Sequence, residues 1–259
     1  MLGKWRISRW VTREVSVEVS EQSGIRSLHL GSATVQSSMK IEDPYELVLS
    51  YTRAMMAFLL FHPRPQNILV IGLGGGSLPK FVYKHFPDAR TTVIESEPKV
   101  IAVARQYFHL PPDDERFVVQ AAEGGAWVAA HPDCCDVLMV DGYDGSEQGP
   151  ELCSEAFYAS AHAALSDEGV LVVNLWSSDT RFDAYLQRIE SVFEAVVCVP
   201  AERRGNVAVL AFRRSQGQPR WDDLRAAARS LQALYGLEFL TFVEGLREMN
   251  PRSAARLLV

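Results

Sequence analysis

The chain has 259 residues, a length that accommodates one or two domains. Hydrophobic residues make up 47% and charged residues 22% of the sequence, which is typical of soluble globular proteins and excludes disordered or collagen-like classes. The net charge of −6 argues against a protein whose main task is to bind nucleic acid. No apolar run reaches the roughly 20 residues that a membrane-spanning helix needs, so we expect no membrane contact.

The cysteines Cys134, Cys135, Cys153 and Cys198 form no C-x-x-C pair, and no histidine lies at ligand spacing from them. This pattern does not predict a zinc site, and we expect no metal centre. A disulfide framework is not expected either, which fits a reducing compartment. We therefore predict a cytoplasmic protein.

The N-terminal third is predicted to contain a small β unit followed by a helix. Residues 14–38 alternate apolar and polar side chains, and Gly24 and Gly31 divide them into short antiparallel strands. A helix is expected over residues 45–61, with Pro44 at its first position. Two prolines beyond that range end it.

From Asn67 onward, short apolar runs alternate with helical patterns, which predicts βαβ units and a parallel sheet with helices on both faces. The expected strands are 68–71, 91–95, 117–120, 137–141 and 170–175, and the expected helices are 78–86, 99–107, 124–130, 155–165 and 182–193. Residues 195–199 and 207–212 follow, with Gly205-Asn206 as turn chemistry, and predict a terminal antiparallel hairpin. The tail from Trp221 is predicted to be helical.

A glycine cluster lies between the first of these strands and its helix. It reads Gly72-Leu-Gly74-Gly75-Gly76, and it is not a Walker loop because no Gly-Lys-Ser/Thr follows. Glycines let a ligand approach the backbone beside the N–H groups of a helix N-terminus. The cluster therefore predicts a ligand-binding loop, and a glycine-rich turn without a ligand is the alternative.

Acidic residues follow the second and third strands. Glu95 and Glu97 lie about 20 residues after the glycines, where a carboxylate can bind ribose hydroxyls. Glu123, before Gly124, can accept a hydrogen bond from an adenine amino group. For Glu97 and Glu123 the alternative is an acid that only stabilises the start of a helix. Together these residues predict a nucleoside-containing ligand, and the third acid favours an adenosyl sulfonium over a dinucleotide.

The fourth strand ends in Asp141-Gly-Tyr143-Asp144. The carboxyl end of a buried strand is where α/β sheets bind their ligands. Two acids three residues apart can hold a cationic amine and take up its proton. For Asp144 the alternative is an Asx-type turn.

Together these features resemble the polyamine aminopropyltransferase family, the spermidine synthases, over nearly the whole chain. The resemblance implies a small N-terminal β domain over residues 1–44 and a Rossmann-like domain over residues 45–259. That domain would have the seven-stranded, mostly parallel sheet of S-adenosylmethionine-dependent transferases, ending in an antiparallel hairpin. It also implies a homodimer that transfers an aminopropyl group from decarboxylated S-adenosylmethionine to an amine and releases methylthioadenosine. The adenosyl sulfonium would be a cosubstrate, with no permanently bound cofactor.

The resemblance also implies roles for individual residues. Asp141 would orient and deprotonate the attacking amine, Asp144 would hold the cationic end of the substrate, and Glu95 and Glu123 would bind ribose and adenine. The remaining substrate-binding candidates are Tyr143, Gln36 and a family tyrosine that falls at Tyr45 or Tyr51. The remaining cofactor-binding candidates are Gly72, Gly74, Gly75, Gly76, Glu97 and Gly124.

Two departures from the family pattern leave alternatives open. Gly75 occupies the position of a family aspartate that contacts the ammonium group of the donor, and Gly142-Tyr143 replaces small hydroxyl residues. A methyltransferase that uses intact S-adenosylmethionine and a non-catalytic nucleoside-binding homologue are the alternatives. A dinucleotide-dependent oxidoreductase is disfavoured, because Ser77 stands where its third glycine would be.

Overall fold

The computed structural model describes residues 5–11, 16–31, 34–144, 147–201 and 205–259. For residues 5–11, 143–144, 147–148 and 150 it describes the backbone alone. All statements below refer to these parts of the chain.

A four-stranded antiparallel sheet forms the N-terminal part, with strands in chain order. Its strands are β1 (Trp5–Val11), β2 (Ser16–Gln22), β3 (Ile25–Leu30) and β4 (Ser37–Lys40). The predicted small β unit is therefore present, and β1 extends it by one strand that the sequence pattern did not predict. A register shift between Arg6 and Ser8 interrupts the pairing of β1 with β2. It also interrupts the alternation of apolar and polar residues by which a strand is predicted from sequence.

The helix predicted over residues 45–61 begins later than expected. The α-helix α1 covers Ser50–Met55 and continues as a 3₁₀ helix over Met56–Leu60. The Asp43 carboxylate accepts a hydrogen bond from the Tyr45 backbone N–H, and the Asp43 carbonyl accepts one from Glu46 N–H. These bonds form an Asx-type turn, which replaces the first turn of the expected helix, so Pro44 is not its first residue.

The central sheet has seven strands in the order β12-β13-β11-β8-β5-β6-β7. All its pairings are parallel except the two made by β13. The strands are β5 (Asn67–Ile71), β6 (Arg90–Glu95), β7 (Phe117–Ala121), β8 (Cys135–Val140), β11 (Leu165–Trp176), β12 (Ala195–Pro200) and β13 (Asn206–Phe212), with β9 (Tyr143–Asp144) and β10 (Glu147–Gln148) forming a separate short pair.

Helices cover both faces of this sheet, and each face has its own hydrophobic core. They are α2 (Ser77–His85), α3 (Pro98–Tyr107), α4 (Gly124–Ala130), α5 (Glu155–Ala164), α6 (Phe182–Glu190), α7 (Trp221–Tyr235) and α8 (Phe239–Met249). The predicted α/β fold with a mostly parallel sheet and a terminal antiparallel hairpin is thus confirmed. Within the described ranges, no helix is long and apolar enough to span a bilayer.

Strand β11 is longer than the predicted run 170–175 at both ends. Its pairing with β8 is irregular between Leu165 and Val170, around Gly169, so the first residues do not follow a regular apolar pattern. At the other end β11 pairs with β13 as far as Trp176 and Asn206. This extension carries side chains beyond the carboxyl end of β8, towards the site described below.

The glycine loop between β5 and α2 crosses the end of β8 at very short range. Gly72 has a φ of 91°, and an added Cβ there would lie 2.5 Å from the carbonyl oxygen of Asp141. The backbone N–H of Asp141 in turn donates to the carbonyl of Ile71. Only glycine at position 72 permits this backbone packing.

We predict that Gly72→Ala lowers the free energy of unfolding by about 3–5 kcal/mol, because backbone strain and a clash with the Asp141 carbonyl add together. Gly217→Ala is the matched control, since Gly217 also has a positive φ of 67° but an added Cβ there meets no described atom within 4 Å. The control should lose only about 1–2 kcal/mol. Equal losses in urea unfolding would contradict the close packing of the two backbones.

Lys80 is a fully buried lysine in helix α2. Its ammonium donates to the carbonyl oxygen of Phe108, 2.7 Å away, just past the end of α3. Arg26 donates to the neighbouring carbonyl of Tyr107, so two cations meet the carbonyl end of that helix. Burial, reinforced by the nearby positive charge of Arg26, lowers the pKa of Lys80 to about 7.

This lowered pKa predicts a specific pH dependence of stability. Between about pH 7 and about pH 10.4 the unfolded chain holds a proton on Lys80 that the folded chain has lost, so the free energy of unfolding rises with pH. The rise attributable to Lys80 should reach about 3–5 kcal/mol, and Lys80→Met should remove it. Chemical unfolding over this range measures it.

The control for this prediction is Lys84→Met, which removes an exposed lysine from the same helix. It should leave the slope of stability against pH as in the wild type. A Lys80→Met protein with the wild-type slope would contradict the assignment.

Candidate functional site

A cavity of about 810 Å³ lies where the parallel strands β5, β6, β8 and β11 end. The carboxyl ends of these strands, the glycine loop and the end of the small N-terminal sheet all contribute to its wall. This is the position at which open α/β sheets bind ligands. Its chemistry is concentrated in two regions, one around Asp141 and one around Glu95.

Asp141 follows directly after β8 and is held by neutral hydrogen-bond donors. The hydroxyl of Tyr51 donates to its Oδ2 over 3.0 Å, and Nδ2 of Asn174 donates to its Oδ1 over 2.9 Å. The Oδ1 of Asn174 accepts in turn from Nδ2 of Asn206, also over 2.9 Å. Helix α1 and strands β8, β11 and β13 therefore converge on one carboxylate.

Burial raises the pKa of Asp141, and the hydrogen bonds from Asn174 and Tyr51 offset part of that rise. Within the described residues no Lys, Arg or His forms an ion pair with this carboxylate. A desolvated carboxylate without a cationic partner attracts a cation into the cavity. Its raised pKa also brings it closer to the range in which a carboxylate acts as a general base.

Asn174 and Asn206 were not singled out from the sequence. Asn174 is only 2% exposed, and it lies within an otherwise apolar strand. A buried amide must be hydrogen-bonded, so an asparagine inside a buried strand was the available signal. The sequence pattern assigns Asn206 to a turn, whereas it is the first residue of β13.

On the other side of the cavity, Glu95 ends β6 and is almost completely buried. Its Oε2 accepts from the backbone N–H of Leu73, and its Oε1 accepts from that of Glu97, each over 2.9 Å. These bonds fix the carboxylate against the glycine loop. The Ser96 hydroxyl also donates to Oε1, over 3.5 Å. Since each oxygen has two lone pairs, Oε2 keeps an acceptor site for a ligand hydroxyl.

Glu97 and Glu123 both line the cavity and both cap helices. The Glu97 side chain accepts from the backbone N–H of Lys99 at the start of α3. The Glu123 carboxylate accepts from the N–H groups of Gly125 and Ala126, over 2.7 and 2.6 Å, at the start of α4. The helix-start interpretation that the sequence left open therefore applies to both residues. Their predicted ligand contacts remain predictions.

A serine hydroxyl lies beside Gly75, the glycine that departs from the family pattern. An added Cβ on Gly75 would lie 2.8 Å from both the Phe108 ring and the Ser37 hydroxyl, so a side chain here would have to displace one of these two side chains. Ser37 and Ser77 both line the cavity, and their hydroxyl oxygens are 3.1 Å apart. A pair of neutral hydroxyls thus stands close to the position of the family carboxylate.

Most of the predicted residues come together in the cavity wall. Those that line it are Gln36, Tyr51, Gly72, Gly74, Glu95, Glu97, Glu123, Gly124 and Asp141. Of the two candidate tyrosines, Tyr51 contacts Asp141, whereas Tyr45 lies in the turn before α1 and does not line the cavity. Gly75 and Gly76 do not line the wall either. The side chains of Tyr143 and Asp144 lie outside the described part of the structure, so their roles stay predictions.

The described wall is acidic. It carries the five carboxylates of Glu95, Glu97, Glu123, Asp141 and Glu151, and no Lys, Arg or His among its described residues. A low-dielectric cleft lined by one sign of charge concentrates ligands of the opposite sign. The arrangement therefore fits cationic ligands, with a carboxylate placed to accept a proton.

Comparisons with known proteins agree with this chemistry. Residues 48–211 match the model of the spermine/spermidine synthase domain. A polyamine aminopropyltransferase from Chromobacterium violaceum is 46% identical over 94% of both chains. The crystal structure of a probable spermidine synthase from Corynebacterium glutamicum superposes with a TM-score of 0.75 and 18% identity, covering 95% of this chain and 97% of the other.

Human methyltransferase-like protein 13 in complex with SAH superposes with a TM-score of 0.64 and 26% identity, covering 80% of this chain and 95% of the other. The domain match is to spermine/spermidine synthases, and the relative that is 46% identical over nearly the full length is a polyamine aminopropyltransferase. The chain belongs to the spermine/spermidine synthase family.

Proposed function

We propose that this protein is an aminopropyltransferase that uses decarboxylated S-adenosylmethionine and an amine acceptor and releases methylthioadenosine. The observation that carries the proposal is the Asp141 carboxylate, which neutral donors hold in an acidic cavity. The donor of this reaction is a cationic sulfonium with an ammonium group, and the acceptor is an amine that is protonated in water. Both ligands therefore match the charge of the wall.

The chemical step needs the acceptor amine in its neutral form, and the protein has only to position the two ligands and accept a proton. The lone pair of the acceptor nitrogen forms a bond to the methylene carbon beside the sulfonium, while the carbon–sulfur bond breaks and its electrons go to sulfur. Asp141 orients the nitrogen and accepts the proton that it loses. Because the sulfonium is already a good leaving group, correct positioning of the two ligands supplies much of the rate.

The donor is expected to lie between the glycine loop and the Glu95 side of the cavity. The lone pairs that Glu95 and Glu123 keep beside their backbone contacts would bind the ribose hydroxyls and the adenine amino group. Ser37 and Ser77 would receive the ammonium end of the donor, in place of the carboxylate that Gly75 lacks. The predicted homodimer and the predicted cytoplasmic location stay predictions.

A second candidate is a methyltransferase that uses intact S-adenosylmethionine. Two observations support this candidate. Gly75 has no acidic side chain that would repel the carboxylate of S-adenosylmethionine, and the fold is similar to that of the human methyltransferase-like protein. The products distinguish the two reactions. Aminopropyl transfer releases methylthioadenosine, whereas methyl transfer releases S-adenosylhomocysteine, and mass spectrometry of a reaction with each donor identifies which one forms.

We predict that Asp141→Asn reduces the turnover number by at least about 100-fold, because it removes the base that takes the amine proton. Its affinity for methylthioadenosine, measured by calorimetry, should be nearly unchanged, since the product carries no ammonium group. The control Asp113→Asn changes an exposed aspartate that pairs with Arg105 outside the cavity and should retain wild-type turnover. An active Asp141→Asn enzyme would exclude the assigned role.

A further prediction concerns the pH profile of kcat/KM. The Tyr51 hydroxyl stabilises the ionised form of Asp141, so Tyr51→Phe should raise the pKa of that carboxylate further. The acidic limb of the profile then moves to higher pH, so that as the pH falls the variant loses activity before the wild type does. Tyr235→Phe, outside the cavity wall, should leave the limb in place. A Tyr51→Phe limb that stays or moves to lower pH would refute the hydrogen bond's role.

A further inference from the structure

Trp176 is a large aromatic residue exposed inside the cavity. It is the last residue of β11, lines the wall, and leaves 42% of its surface exposed. None of the cation–π pairs between described residues involves its ring. Neither the sequence motifs nor the mechanism above assigns it a role.

Trp176 lies on the same face of the sheet as the residues that hold Asp141. Side chains two residues apart on a strand point to the same face, which places Trp176 beside Asn174. Asn206 is the direct cross-strand neighbour of Trp176 and donates to Asn174. The indole is therefore the next side chain along this face of β11 after Asn174, which donates a hydrogen bond to Asp141.

Trp176 is two residues beyond Asn174 on β11, and Asn174 donates to Oδ1 of Asp141 over 2.9 Å. Two residues of a strand span about 6.6–6.8 Å. A chain of about four methylene groups between two nitrogen atoms has a similar length, given carbon–carbon bonds of about 1.5 Å. A diamine whose reacting nitrogen lies at Asp141, next to Asn174, is therefore long enough to extend along β11 towards the indole.

We propose that Trp176 is a specificity-determining residue that binds the distal ammonium group of a diamine acceptor through its π face. An indole is the best aromatic partner for a cation, and the carboxylates of the wall raise the local concentration of cations. This role adds to the one predicted for Asp144. The inference rests on the proposed function, because it assumes that the acceptor's reacting amine lies at Asp141.

The test compares two acceptors, 1,4-diaminobutane and 1-aminobutane, in Trp176→Leu and Trp176→Phe. Leucine keeps apolar bulk but removes the π face, whereas phenylalanine keeps a weaker π face. Trp176→Leu should raise the KM for the diamine about twofold to thirtyfold, with a smaller rise in Trp176→Phe, and leave the KM for the monoamine and for the donor unchanged. An equal rise for both amines, or no rise, would overturn the proposal.

Calorimetry separates this inference from the proposed function. If the wild type shows no aminopropyl transfer, 1,4-diaminobutane is titrated into protein saturated with methylthioadenosine. Weaker diamine binding by Trp176→Leu than by the wild type would support the role of the indole even though the proposed function had failed. Equal binding by the two proteins, or no binding by the wild type, would overturn it.

Discussion

A desolvated carboxylate, whose partners among the described residues are all neutral, determines the chemistry at the carboxyl end of the central sheet. Asp141 loses water by burial, and the Tyr51 hydroxyl and the Asn174 amide satisfy its oxygens without cancelling its charge. An arginine or lysine beside Asp141 would form an ion pair with it and neutralise the charge that could otherwise bind a cationic ligand. The geometry instead holds a negative charge in place for a cation that arrives with the substrate.

The architecture around Asp141 follows from this requirement. Gly72 lets the glycine loop lie directly against the Asp141 backbone, so the two halves of the cavity share one rigid contact. On the loop's other side, the backbone N–H of Leu73 donates to the Glu95 carboxylate at the end of the neighbouring strand. Asp141 and Glu95 are therefore positioned by the same few residues of backbone. This proximity is what a reaction that depends on orientation needs.

The sequence predicted the parts of the site that follow the ends of parallel strands, because apolar runs, glycines and terminal acids are local patterns. Glu95 and Asp141 belong to this class. Asn174, Asn206 and Trp176 do not, because their arrangement depends on which strand pairs with β11 and in which register. The resemblance to a family left two tyrosine positions open. The turn at Asp43 is held by a hydrogen bond between a side chain and the backbone, and the helix begins only after it, at Ser50. Tyr51, in the first turn of that helix, is the tyrosine that contacts the Asp141 carboxylate.

The most direct test of the central claim is a calorimetric comparison of two donors that differ by one carboxylate. Decarboxylated S-adenosylmethionine and S-adenosylmethionine share the nucleoside and the sulfonium. Their difference in affinity therefore measures the effect of the one carboxylate, which the acidic wall of the cavity repels. Since the described wall carries carboxylates and no basic residue, the decarboxylated donor should bind more tightly. Equal or tighter binding of S-adenosylmethionine would contradict the account and favour methyl transfer.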